Sequence, residues 1–231
     1  MNAGLSRRAA LAATLAASGL LMSGCELLSL RWRYRYRLTV SLVRGAETRS
    51  GSGVIEIVRE KGYRRIGGSI NGEAVAVDIP GSTPLFALLQ SERWGINWPY
   101  IVPHDAFRQQ LGSNDMVNDR LLDKLVSLKG GKVVLSPELY PYFAVFDDPR
   151  VPLTIKPVDP DDSRKVLKGY FIDKVEMEIV DAPVTMHIYD RLPWLRNQHG
   201  ALMKHDLDRL SLDPPFSMRI TEASFVRGSA K

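Results

Sequence analysis

Arginine takes every second position from Arg31 to Arg37, and Trp32, Tyr34, Tyr36, Leu38, Val40 and Leu42 fill the positions between. An apolar row of aromatic and branched residues with period two predicts a strand with one buried face. The stretch RGAETRSGSG predicts a turn-rich return. Val54 to Glu60 then predicts a second strand, with Ile55 and Ile57 on one face and Glu56 and Glu60 on the other. Asn71-Gly72 between two apolar runs predicts a tight hairpin. Residues 31–80 thus predict a meander of about four strands.

Further along, Thr83 to Gln90 is mostly apolar and fits a strand or a short helix equally well. PHDAFRQQLG predicts one or two helical turns stopped by Gly112, and Asp115 to Lys129 a longer helix ended by Gly130-Gly131. Lys132–Leu135 and the YFAVF run predict short strands. Asp159 as a cap and Pro160 at the first helical position predict a helix start. From Tyr170 to Val180, Phe171, Val175, Met177 and Ile179 alternate with Lys174, Glu176 and Glu178, predicting a strand. Periodicity predicts a helix over Gly200–Leu210, and FSMRITEASFVRG predicts a last strand. The fold class expected is α+β, a mainly antiparallel twisted β-sheet of about six to eight strands with two or three short helices.

The start of the chain changes the picture. Arg7 and Arg8 precede a small, apolar run from Ala9 to Met22, and Ser23-Gly24 precede Cys25. This order predicts a secretory signal, and the run is shorter than the ~20 apolar residues a bilayer span needs. Cys25 is the single cysteine, so no intramolecular disulfide can form. Leu21-Met22-Ser23-Gly24-Cys25 resembles the lipobox of bacterial lipoproteins, with Met22 where that family usually has leucine. The resemblance implies that Cys25 carries a palmitate-type lipid and becomes the first mature residue. Glu26 rather than aspartate implies sorting to the outer membrane. Ser6 to Ala12 resembles a twin-arginine export signal; it keeps the arginine pair and Leu11 but lacks the usual Phe and Lys, and a Sec signal with two arginines fits equally well. The organisation expected is signal peptide 1–24, lipidated tether 25–30 and a single periplasmic domain 31–231.

Composition then narrows the partners. The 231 residues carry a net charge of +5, which falls to +3 without residues 1–24, where Arg7 and Arg8 are the only charged side chains. That excess is too mild to point to nucleic acid. A hydrophobic content of 45% and a charged content of 25% are ordinary globular values.

Candidate chemistry is sparse. On a strand, Arg31, Arg33, Arg35 and Arg37 share one face and the aromatics share the other. The favoured expectation is that the arginines meet acids on neighbouring strands, with Glu56, Glu60, Glu176 and Glu178 at the right spacing. A second reading has the ladder facing an anionic membrane surface beside the lipidated cysteine. Nucleic acid fits worst, because rings that would stack on bases lie on the face away from the arginines. Trp94, Trp98 and Tyr100 occupy a Gly/Pro-broken segment, as candidate ligand aromatics for a glycan or as a hydrophobic plug, the plug being favoured. His104, His187, His199 and His205 have no metal-ligand spacing, even with Asp206 and Asp208 as helpers. Asp147, Asp148, Asp159, Asp161 and Asp162 suit turns and caps rather than a calcium loop. No nucleophile elbow or phosphate loop occurs. No catalytic residue, metal site or cofactor is therefore expected.

The phrases RYRYRLTV, GEAVAVDI, VDPDD, DAPVT and RLPWL resemble a group of bacterial hypothetical proteins, over most of the chain from Arg33 to Leu195. That resemblance implies no activity, ligand or functional residue. The function expected is a membrane-anchored envelope lipoprotein, a non-enzymatic binding or assembly module in the periplasm. Its partners would be the membrane, through the lipid, and another envelope protein or glycan. The alternative is an enzyme acting on envelope polymers at the Trp94/Trp98 loop.

Overall fold

The computed structural model describes residues 31–61, 66–112, 118–197 and 215–228. The expected signal, Cys25, the tether and the predicted helix over 200–210 lie outside the described residues. The described residues fall into two units, one of residues 31, 60–61 and 66–67 and one of the described residues of 32–59 and 68–228. Within the first, Arg31 Nε lies 3.1 Å from a Glu60 carboxylate oxygen.

The fold is α+β and antiparallel, with ten strands in two sheets among the described residues. Strands β1 (Arg31–Arg44), β2 (Glu47–Lys61), β3 (Ile66–Glu73), β6 (Lys132–Val134), β9 (Phe171–Ile179) and β10 (Val226–Arg227) form a six-stranded sheet in the order β10-β3-β2-β1-β9-β6. Strands β4 (Val75–Val77), β5 (Leu85–Ala87), β7 (Phe143–Phe146) and β8 (Ile155–Val158) form a four-stranded sheet in sequence order. In both sheets the outermost strands are two to four residues long. The described α-helices are α1 (Trp98–Ala106), α2 (Arg108–Leu111), α3 (Asp119–Ser127), α4 (Ser163–Val166), α5 (Ile188–Arg191) and α6 (Phe216–Arg219).

Strand β1 sits inside the six-stranded sheet, and its alternation is realised residue by residue. Trp32, Tyr34, Tyr36, Leu38, Val40 and Leu42 are all buried. From Tyr34 onward they face a core shared with Ile55 and Ile57 of β2, Val175, Met177 and Ile179 of β9, and Leu121 and Leu125 of α3. Strand β9 pairs with β1 so that Arg37 stands opposite Glu178 and Leu38 opposite Met177. The register shifts between Ser41 and Leu42, where Asp173 is the extra residue. A bulge of this kind reverses facing by one place. Ile172, not Phe171, therefore enters the core, correcting the expected inward row.

The two inner strands of the four-stranded sheet, β5 and β7, are buried on both faces. Leu85 and Ala87 of β5, with Phe143 and Val145 of β7, join the first core. Phe86, Ala144 and Phe146 join a second, with Phe225, Ile188 and Leu195. There Phe86 and Phe146 meet edge to face, 5.7 Å between ring centroids. Two-sided burial explains why Thr83–Gln90 has no period: both parities must be apolar.

Several local expectations are corrected. The return after β1 is only Gly45-Ala46, and β2 begins at Glu47. Gly51 belongs to a strand because the segment around Ala76 comes too close for a side chain: a Cβ there would lie 2.0 Å from the Ala76 carbonyl oxygen. Asn71-Gly72 is no hairpin. Strand β3 runs through it, with Gly72 at φ 153° opposite Arg227 of β10. A Cβ at Gly72 would also press on the Ile55 backbone at 3.0 Å. The helix expected from Asp159 starts three residues later. Asp159 instead closes a turn, its carboxylate accepting the Asp161 N–H at 3.0 Å.

If β1 is oriented this way, its two faces respond differently to truncation. In urea unfolding, Tyr36→Ala should cost ~3–5 kcal/mol, as large aromatic truncations in cores do. Arg33→Ala should cost under ~1 kcal/mol. Arg35→Ala should fall between, about 1–2 kcal/mol, because it strands the buried Glu56. Equal costs for all three would contradict the orientation.

Candidate functional site

The arginine ladder is consumed by carboxylates. Arg35 donates from Nε to Glu56 at 2.9 Å, and its Nη2 lies 2.8 Å from the same oxygen. Arg33 reaches that oxygen at 3.9 Å, and Arg37 meets Glu178 at 3.0 Å. Glu56 is only 8% exposed, so two guanidiniums share one buried carboxylate. Glu176 is not a partner of the ladder; it is held by Lys132 at 2.6 Å and Lys174 at 3.1 Å. These bonds to lysine hold its carboxyl below the usual range. A cleft of about 180 Å³ beside the ladder is lined by Arg33, Arg35, Lys129 and Asp181, and so carries both signs of charge.

The aromatic segment divides. Trp98 opens α1, is completely buried, and donates from its indole N–H to the Leu139 carbonyl at 2.9 Å. No face of its ring is left for a sugar, which corrects its candidacy as a ligand aromatic. Trp94 and Tyr100 are half-buried, and each carries an arginine: Arg93 lies 4.6 Å over Trp94 and Arg59 lies 4.3 Å over Tyr100.

The Tyr100 end holds the residues that the sequence did not single out. Arg59 Nη2 donates to the Tyr100 carbonyl at 3.0 Å, and its buried Nε has no acceptor. Arg227 donates from Nε to the Ala223 carbonyl at 2.9 Å and from Nη2 to the Ile96 carbonyl at 3.1 Å. Among the described residues no carboxylate pairs with either. Burial pushes the Arg227 guanidinium down and the Tyr100 phenol up, and both arginines pull the phenol the other way.

Beneath this end lie Tyr34 of β1 and His104 of α1, edge to face with 6.5 Å between ring centroids. Each is 4% exposed. The Tyr34 hydroxyl and both His104 ring nitrogens are buried without a hydrogen-bond partner. Burial pushes the Tyr34 phenol up, against the pull of the Arg59 guanidinium beside it. Burial takes the His104 imidazole down to about 4, with Arg59 adding to the effect and Asp105 opposing it. His104 has no metal-ligand spacing in the sequence, and no signal there marks Arg59 or Arg227. Among the described residues no cluster of metal-ligating side chains forms; His199, His205, Asp206 and Asp208 lie outside them.

A smaller cleft, about 140 Å³, holds Glu73, His187, Arg191 and Thr185. Three of its polar side chains are engaged. Glu73 accepts the Ile188 N–H at 2.6 Å, Arg191 makes two bonds to Asp78 at 2.5 and 2.9 Å, and the Thr185 hydroxyl accepts from Val54 N–H at 3.0 Å. Burial raises the Glu73 carboxyl despite those backbone donors. The cleft is a tie between β3 and α5.

Two outcomes follow from this charge arrangement. Because the His104 pKa is lowered from 6.5 to about 4, the unfolded chain takes up this proton first as pH falls. Stability due to His104 is therefore full above pH ~6.5 and is lost toward pH ~4, by up to about 3 kcal/mol. His104→Phe should flatten that dependence in thermal melts. The comparison with wild type matters because Glu73, shifted upward, acts in the opposite sense. Secondly, a paired ladder leaves little free charge. In the full chain carrying Cys25→Ser, changing Arg33 and Arg35 together to alanine should alter binding to anionic vesicles at low salt by less than about threefold. An unpaired ladder would lose about 1 kcal/mol per arginine.

Compared with known proteins, the chain matches no family model, no curated protein and no solved structure. What the Tyr100 end can do follows from its own side chains: two guanidiniums with no carboxylate partner among the described residues, over buried donors with no acceptor among them.

Proposed function

We propose that the chain is an envelope lipoprotein, anchored by lipid at Cys25 and facing the periplasm, at the outer membrane in preference to the inner. It acts there as a non-enzymatic binding or assembly module. The observation that supports the anchor is the signal-like run ending in Leu21-Met22-Ser23-Gly24-Cys25. A tether of residues 25–30 spans at most ~20 Å, so the start of β1 would stand close to the bilayer surface.

The binding role, with another envelope protein or a glycan as partner, is supported by how the described polar groups are used. Glu56, Glu73 and Asp78 are tied into structural pairs. The Arg59–Tyr100 end keeps unspent hydrogen-bonding capacity among the described residues and offers donors and charge. The alternative, an enzyme acting on envelope polymers at the Trp94/Trp98 loop, is disfavoured by the burial of Trp98.

Cys25→Ser should move the protein from the membrane fraction to the soluble fraction. Mass spectrometry of the wild type should find a mature N-terminus at Cys25 carrying acyl chains. Unchanged fractionation together with an unmodified cysteine would reject the anchor.

A further inference from the structure

The hydrogen-bonding ledger is unbalanced at one corner of the first core. Arg59 Nε, the Tyr34 hydroxyl and His104 Nδ1 and Nε2 are buried without partners among the described residues; Tyr34 and His104 meet edge to face, and Arg59, stacked over Tyr100, lies close enough to act on both. A buried polar group left unpaired costs ~1–3 kcal/mol, so such groups cluster where a water or a ligand completes them. Charge says which. The guanidinium is held by a carbonyl and a ring face, neither of which neutralises it. Arg227, seated on two carbonyls of its own and paired with no carboxylate among the described residues, adds a second charge near the Tyr100 phenol. The unpartnered groups include three donors: a guanidinium N–H, a phenol O–H and one imidazole N–H. Arg59 and Tyr100 are half-buried, so the corner reaches the surface through them. Three donors and excess positive charge suit an oxyanion better than a cation or a neutral sugar hydroxyl.

We propose that Arg59, Tyr34 and His104, covered by Tyr100, bind one oxyanion group, a phosphate or a carboxylate, carried by an envelope molecule. Arg59 supplies the charge and one donor, Tyr34 and His104 supply neutral donors, and Arg227 raises the local positive potential. This gives the proposed binding module a ligand class. It does not depend on lipid at Cys25, which the fractionation test addresses separately.

The test uses the full chain carrying Cys25→Ser and follows the His104 ring protons by NMR. Inorganic phosphate and acetate are the soluble probes, with chloride at equal ionic strength as control. Phosphatidylcholine vesicles with and without phosphatidic acid distinguish a lipid headgroup from a free anion. A saturable shift with phosphate or acetate, or with phosphatidic acid alone, and a rise in the His104 pKa on binding are expected. Arg59→Gln should weaken binding about tenfold or more, and Tyr34→Phe about threefold, as loss of a charged and a neutral hydrogen bond respectively. Tyr34→Phe removes only an unpartnered hydroxyl and should fold at least as well as wild type, so it serves if Arg59→Gln does not fold. Arg37→Gln, on the paired ladder, should bind as wild type does. No response beyond chloride in any arm, or a response that both Arg59→Gln and Tyr34→Phe leave intact, would overturn the proposal and leave water as the occupant.

Discussion

The inward row of β1 is the constraint on which the rest depends. Tyr36, Leu38, Val40 and Leu42 are fully buried on a strand flanked by β2 and β9, so a slip of one residue would bring arginines into the core. That penalty fixes the register of β9, and β9 in turn positions β6. The Arg37–Glu178 pair is a consequence of the register rather than its cause. An exposed pair contributes ~0–1 kcal/mol, whereas each large side chain of the inward row contributes ~1.5–3 kcal/mol.

How far the sequence disclosed this fold depended on how many faces of each strand meet water. Strands β1 and β9 have one wet face and show period two, so both were legible, apart from the one-residue error at Asp173. Strands β5 and β7 are covered on both sides, so Phe86 and Ala144 are as buried as Leu85 and Phe143 and the period vanishes. Glycines misled most. Gly51 and Gly72 read as turn residues, but each marks a place where another chain segment comes within contact of the backbone. That approach comes from residues far away in the sequence, Ala76 in one case and Ile55 in the other.

The candidate site was less legible than the fold, for an electrostatic reason. A sequence shows where charges are, not whether they are compensated. The ladder is conspicuous as text, yet Glu56 and Glu178 neutralise most of it. Arg59 and Arg227 stand 168 positions apart in the numbering and mean nothing singly. Their importance is that folding gives each a carbonyl where a carboxylate would be the usual partner. The unpartnered atoms of Tyr34 and His104 are equally invisible, since a tyrosine hydroxyl or an imidazole normally finds an acceptor once buried.

The short outer strands have a consequence for life at high local concentration. A sheet edge is a row of unpaired backbone donors and acceptors, open to any chain that can add a strand. Here the outermost strands are β10 and β6 on one sheet and β4 and β8 on the other, none longer than four residues. Three of them carry residues that discourage addition: Arg227 on β10, Lys132 on β6, and Lys156-Pro157 on β8. Where β10 stops, β3 continues through Gly68 and Ser69, which offer little side-chain surface to an incoming strand. A β-rich protein built this way can be crowded without polymerising edge to edge, and association with other molecules is left to its side chains.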